Sequence, residues 1–111
     1  MKAYIPQKGD FVSVSFDPQS GHEQKGRRPA LVVSNTLFNR HTGMAIVCPL
    51  TTTDRRFPFH VPVAGDAAVS GFVMVEQVKS IDFRARRAAR IGRAAGRTLD
   101  EVLAILDACI Y

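Results

Sequence analysis

From Phe11 to Phe16 the chain alternates, with Val12, Val14 and Phe16 on one side and Ser13 and Ser15 on the other. A period of two predicts a half-buried strand, and Asp17-Pro18 stops it. Gln19 to Arg28 (QSGHEQKGRR) is polar throughout, with glycines at 21 and 26, and predicts a loop. Pro29 then opens a second apolar segment, Ala30 to Val33. Asn35 to Gly43 predicts one helical turn followed by a reverse turn. Met44 to Cys48 is an apolar run of strand length, which Pro49 is expected to end. Phe59–Val63, Phe72–Val75 and Val78–Phe83 continue the β pattern, with turns at Gly65-Asp66 and Ser70-Gly71.

The period changes near the end. Thr98-Leu-Asp-Glu101 has the spacing of a capping box. Leu99, Val102, Leu103, Leu106 and Ile110 then recur at helical intervals. An amphipathic helix of roughly three turns, about 18 Å long, is expected. No repeat, linker or second domain is visible, so residues 1–111 read as one domain. Short strands at close intervals and a terminal helix predict a mainly β fold. Its form is a small, strongly curved antiparallel barrel, closed on one side by the helix. A parallel sheet would need more crossover helices than the chain holds.

Composition narrows the class. With 46% hydrophobic and 23% charged residues the chain is globular rather than disordered. No apolar run reaches the ~18 residues of a membrane span. The start, MKAYIPQKGD, lacks an apolar signal core, so a cytoplasmic protein is expected. Cys48 and Cys109 sit in apolar runs without a C-x-x-C spacing and read as reduced core residues. His22, His41 and His60 show no ligand spacing with them, so no metal is expected. The net charge of +5 and pI near 9.8 favour a polyanionic partner: RNA, DNA or an acidic protein.

Four stretches carry candidate chemistry. Glu23, Lys25, Arg27 and Arg28 crowd against Pro29, where a core strand begins. An arginine at such a junction can aim a fixed fork of donors at a phosphate, although solvated loop charges look the same. Thr51, Thr52 and Thr53 follow an apolar strand, a rigid place from which to present hydroxyls, or equally a turn cap. Gln77 and Lys79 share one face of an expected strand, as readers of RNA or as an edge's solvent side. From Arg84 to Arg97 lie six arginines, a basic stripe for nucleic acid or an acidic peptide, or a solubilising face. His41 and His60 have no telling partner, and no H-E-x-x-H, Walker loop or nucleophile elbow occurs.

The segments GDFVSVSFDP, GHEQKGRRPALVVSN, TGMAIVCPLTTT and EQVKSIDFRAR, in that order, resemble the MazF/PemK toxin family, and its MazF branch in particular. The resemblance implies an SH3-like antiparallel β-barrel of the CcdB/MazF type and a homodimer. It implies ribosome-independent cleavage of single-stranded RNA at a short sequence, leaving 2′,3′-cyclic phosphate and 5′-OH ends, with no cofactor. The family's essential arginine falls on Arg28 and its essential threonine on Thr51. The glutamate of the loop that closes over RNA falls on Glu23. Gln77 and Lys79 match positions near the RNA. Phe16, His22, Gln24, Lys25, Thr52, Arg84 and Arg86 are the further candidates for RNA contact. Glu76 stands where aspartate is usual. The PemK branch uses a different acid/base set that includes a histidine. The resemblance also implies an acidic MazE-like antitoxin, a heterohexamer with it, and contact with operator DNA only through it.

Two rival readings stay open on the residues. A CcdB-like gyrase inhibitor would share the barrel and cut nothing. A non-catalytic SH3-like module would use the Arg84–Arg97 stripe to hold nucleic acid intact.

Overall fold

The computed structural model describes residues 3–15, 26–63 and 69–111. Expectations for Phe16, His22, Glu23, Gln24 and Lys25, and for the Gly65-Asp66 turn, lie outside the described residues. In chain order the elements are β1 (Asp10–Ser15), β2 (Arg27–Val32), α1 (Thr36–Thr42), β3 (Met44–Thr51), β4 (His60–Pro62), β5 (Phe72–Met74), a 3-10 turn (Val75–Gln77), β6 (Lys79–Asp82), β7 (Ala89–Arg93) and α2 (Gly96–Ile110). The strands form one antiparallel sheet in the order β4-β5-β3-β2-β1-β7, with β6 also on β3. The mainly β fold with a terminal helix is as expected.

The sheet curls because β3 changes partners. Met44–Val47 pairs with β6, and Leu50–Thr51 pairs with β5. Pro49 therefore does not end the strand, as its chemistry suggested. It sits in the gap between those two ladders, opposite Ala30 of β2. The Val33 N–H donates to Ile46 O at 2.9 Å, so by alternation the Pro49 nitrogen faces away from β2. Its missing N–H costs no ladder bond.

Each face of the sheet builds a core. Phe11, Leu31, Cys48, Leu50, Val73 and Val75 form one, and Val102 of α2 closes it, with Leu99, Leu103 and Leu106 against the rim. Val12, Val14, Ala30, Val32, Val47 and Ile81 form the other, covered by Tyr4 and Ile5 of the N-terminal arm. β1 is thus buried on both faces rather than half-buried: Phe11 and Ser15 are as enclosed as Val12 and Val14. Cys48 lies in the first core, and burial pushes its thiol up to about 12, with the Glu76 charge adding to the shift. Cys109 is exposed, not a core residue, because it falls on the outer side of the last turn of α2.

Three local expectations change. The segment after Asn35 is longer than one turn: Asn35 Oδ1 accepts from the Phe38 N–H at 2.8 Å, and Gly43, at φ 71°, ends α1. The capping box does not form. α2 begins at Gly96, with Ala95 as an N-cap that lends no side chain. The Ala94 N–H is held by Gly9 O at 2.8 Å, so the chain turns early and Thr98 enters the helix on its buried side. Gln77 and Lys79 do not share a strand face, because Gln77 belongs to the 3-10 turn that precedes β6.

A fully buried amide ties the N-terminal arm to this frame. Asn39 Nδ2 donates to Pro6 O at 2.7 Å and to Ser34 O at 3.2 Å, while Ser34 Oγ donates to Asn39 Oδ1 at 2.5 Å. Asn39→Ala orphans two buried carbonyls and a hydroxyl. A loss of about 3 kcal/mol is expected, read as a lower urea midpoint with unchanged slope.

Candidate active site

Arg28 and Thr51 come from separate stretches of chain and stand at neighbouring ends of β2 and β3. β2 and β3 pair with Ala30 opposite Pro49. Carried two residues towards the strand ends, that register sets Arg28 level with Thr51. A period of two keeps both on the same face as that pair. The ladder itself pairs only Ala30–Pro49 to Val32–Val47, so Arg28 and Thr51 lie just past its end, Arg28 on Val14 of β1 and Thr51 on Phe72 of β5. Beside them opens a cavity of about 350 Å³ lined by Arg27, Arg28, Pro29, Thr52, Ser70 and Ile91, among others.

The two arginines differ in their commitments. Arg27 is bolted down: its Nε donates to Ser13 Oγ at 3.0 Å, and its Nη2 donates to Ser13 O and to Arg87 O, each at 2.7 Å. These bonds join β1, β2 and the turn before β7. Arg28 is exposed and forms no ion pair among the described residues. A guanidinium with no carboxylate partner among the described residues, rooted next to a fixed one, has its fork available for an external oxyanion.

Thr51 ends β3, and its Oγ1 accepts from the Thr53 N–H at 3.2 Å. That leaves the hydroxyl proton to donate. Its position depends on Gly71, whose φ is +112°: a Cβ there would stand 2.4 Å from Thr51 O. The chain therefore passes β5 against the end of β3 at backbone contact distance, which only glycine permits.

The other candidates are spread more widely. Thr52 lines the cavity, while Gln77, Lys79, Arg84 and Arg86 do not. Gln77, Lys79 and Arg84 are exposed, and Arg86 Nη1 donates to Ser15 O at 3.2 Å. The basic stripe is not one surface. β7 runs through it, a strand that the arginine-rich sequence hides, and Arg90 and Arg93 turn to Asp10. Ser13, Ser70 and Ile91 line the cavity without any signal in the sequence. Arg27 had one, its place in the charged cluster, but nothing marked it as the anchored member.

His41 and His60 lie apart from this cavity. His60 has a side chain 4% exposed, and its Nε2 donates to Glu76 Oε2 at 3.0 Å. The other ring nitrogen, Nδ1, is buried with no partner among the described residues. His41 is exposed at the end of α1. Among the described residues no helix is long and apolar enough to cross a membrane.

The sequence profile of the family described as "PemK-like, MazF-like toxin of type II toxin-antitoxin system" matches residues 7–110. The chain belongs to this PemK/MazF family. It is 40% identical over 107 residues to the endoribonuclease toxin MazF of Escherichia coli K12, covering 96% of each chain. It is 45% identical over 109 residues to the endoribonuclease toxin ChpB of the same organism, covering 94% of this chain and 93% of that one. A MazE–MazF crystal structure from Deinococcus radiodurans superposes with a TM-score of 0.86 at 34% identity, covering 97% of both chains. The Deinococcus structure shares the barrel-like fold, and the two Escherichia coli relatives are named as endoribonucleases rather than as gyrase inhibitors.

Proposed function

We propose that this chain is the toxin of a type II toxin–antitoxin pair and cleaves single-stranded RNA without a metal, through Arg28 and Thr51. What supports the reading is the β2–β3 register, which, extended past its last pair Ala30–Pro49, sets those two residues at neighbouring strand ends, beside a cavity that Arg28 and Thr52 line. Family membership and the names of the relatives support the same chemistry.

The nucleophile belongs to the substrate. The ribose 2′-oxygen attacks the adjacent phosphorus, and the bond from phosphorus to the 5′-oxygen breaks. The ends left are a 2′,3′-cyclic phosphate and a 5′-OH. Holding the entering oxygen, phosphorus and leaving oxygen in line is the first task of the protein. Stabilising charge on the non-bridging oxygens is the second. Arg28 clamps that phosphate, and Thr51 donates its free hydroxyl proton to one non-bridging oxygen. Arginine, with a pKa above ~12, is a poor base. Glu23 takes the 2′-OH proton in this scheme, and Arg28 or water supplies one to the leaving 5′-oxygen. Phe16, His22, Gln24, Lys25, Gln77 and Lys79 are assigned to unstacked bases and flanking phosphates, as single-stranded recognition requires.

The solved MazE–MazF complex supports an antitoxin partner. An acidic tail suits the net charge of +5. A homodimer, a heterohexamer with the antitoxin and operator contact through the antitoxin complete the proposal, as does action in the cytoplasm.

The test is digestion of a long mixed-sequence RNA in excess EDTA, with the 5′-OH ends mapped. Cleavage at one short word is expected, and an oligonucleotide with a 2′-deoxyribose at that word should stay whole. Loss of activity in chelator, or cutting of the deoxy substrate, would overturn the mechanism.

A further inference from the structure

Asp10 is a carboxylate only 2% exposed, and it organises a second cavity. It accepts from Tyr4 OH at 2.5 Å, from the Gln7 N–H at 3.1 Å, from Arg93 Nη1 at 2.9 Å and from Arg90 Nε at 3.4 Å. Burial, then the bond to Asp10, holds the Tyr4 phenol protonated far above its usual range, so it remains a donor. Around this centre lies a cavity of about 530 Å³, lined by Tyr4, Gln7, Asp10, Arg40, Arg90 and Arg93, among others.

Residues 90 and 93 would point to opposite faces of a regular strand. They reach one carboxylate because β7 is bulged. Phe11 pairs with Gly92 and Val12 with Arg90, which leaves Ile91 unpaired. A bulge of this kind re-aims side chains and is a built feature of a sheet. Arg90 and Arg93 each keep about half of their side-chain surface open, 52% and 51%. Arg40 enters from α1 and forms no ion pair among the described residues. Asp10 occupies only part of this donor set, and the guanidiniums outnumber it.

The same bulge relates this cavity to the cleavage cavity. Ile91 lines the cleavage cavity and its neighbour Arg90 lines the other, so β7, an edge strand, is the ridge between them. A polymer that leaves the cleavage cavity across that edge arrives at Arg90.

We propose that the Tyr4–Arg40–Arg90–Arg93 cavity is a second phosphate-binding site, and that it takes a phosphate of the single-stranded RNA beyond the scissile bond. The proposal rests on the ribonuclease reading for its ligand but not on catalysis. Arg40 and the outward edges of Arg90 and Arg93 hold the phosphate. Asp10 and Tyr4 are positioning residues that hold the two strand arginines side by side.

Binding is measured with two RNAs that carry a 2′-deoxyribose at the cut position: a short one spanning only the cut word and a long one extended on both sides. Arg40→Glu keeps every bond to Asp10, so the fold survives. It should weaken the long RNA about tenfold and lower its salt slope by about 0.7, while binding of the short RNA stays unchanged. Arg90→Gln should act in the same direction. Equal affinity of the long RNA for wild type and Arg40→Glu overturns the proposal. So does a shift of the Tyr4, Arg40 and Arg90 amide resonances by inorganic phosphate without any effect on the long RNA, which would mark a site for free phosphate. So does a loss confined to an Asp- and Glu-rich peptide, which would mark an antitoxin surface. Cleavage of the all-ribose short RNA by wild type is scored separately: its failure would sink the ribonuclease reading and leave a sensitive long-RNA affinity standing.

Discussion

Arg28→Ala is expected to lower the single-turnover rate of RNA cleavage by at least 10²–10³-fold while leaving the fold intact. Both halves of that expectation follow from how Arg28 is placed. Its side chain is exposed and carries no ion pair among the described residues. Stability should therefore change by no more than about 0.5 kcal/mol. The structural work at this junction is done by Arg27, with its three bonds to Ser13 and Arg87. Arg28→Lys should recover little of the rate, since an ammonium is a point charge and not a planar fork. The measurement is single-turnover cleavage of a defined oligonucleotide beside a thermal melt. Wild-type rates in the alanine variant would remove Arg28 from the chemistry.

Gly71→Ala should damage stability and activity together. Alanine at φ +112° is strained, and its methyl would sit 2.4 Å from Thr51 O, so the end of β3 must move. A loss of about 3 kcal/mol or more is expected from strain and overlap combined. Below its melting point the variant should also cut more slowly, because Thr51 is displaced. A shift of about 1 Å in a positioning group can cost 10²-fold. Gly43→Ala is the internal control. Gly43 also has positive φ, 71°, but nothing lies within 4 Å of the added carbon. It should cost about 1 kcal/mol in a urea melt and leave cleavage untouched. If Gly71→Ala cut at the wild-type rate, the dependence of Thr51 on that backbone contact would be wrong.

Much of this was legible in the residues, and the gaps have physical causes. Helical spacing located α2 because burial on one face leaves a periodic trace, and a continuous apolar run located β3. Alternation found β1 but hid that its other face is buried as well. β7 was hidden because Arg90 and Arg93 serve a buried carboxylate instead of a core, so the strand shows no apolar period. Pro49 misled because its cost depends on which neighbour needs the N–H, a tertiary fact. Arg28 and Thr51 were visible as types next to Pro29 and Pro49. That they stand at neighbouring strand ends depends on the β2–β3 register, which no local pattern encodes. Likewise, nothing in the stretch around residue 10 announces that Asp10 gathers two arginines from the far end of the chain.

The contact of Val102 with the core that contains Phe11 bears on synthesis as well as stability. Until α2 has been made, the side of that core which Val102, Leu99, Leu103 and Leu106 close stays open to water. Contacts between such distant residues tie folding to completion of the chain. A nascent fragment already holds Arg28 and Thr51, but on strands that lack their backing. Cutting of RNA is thus expected to wait for the synthesis of α2.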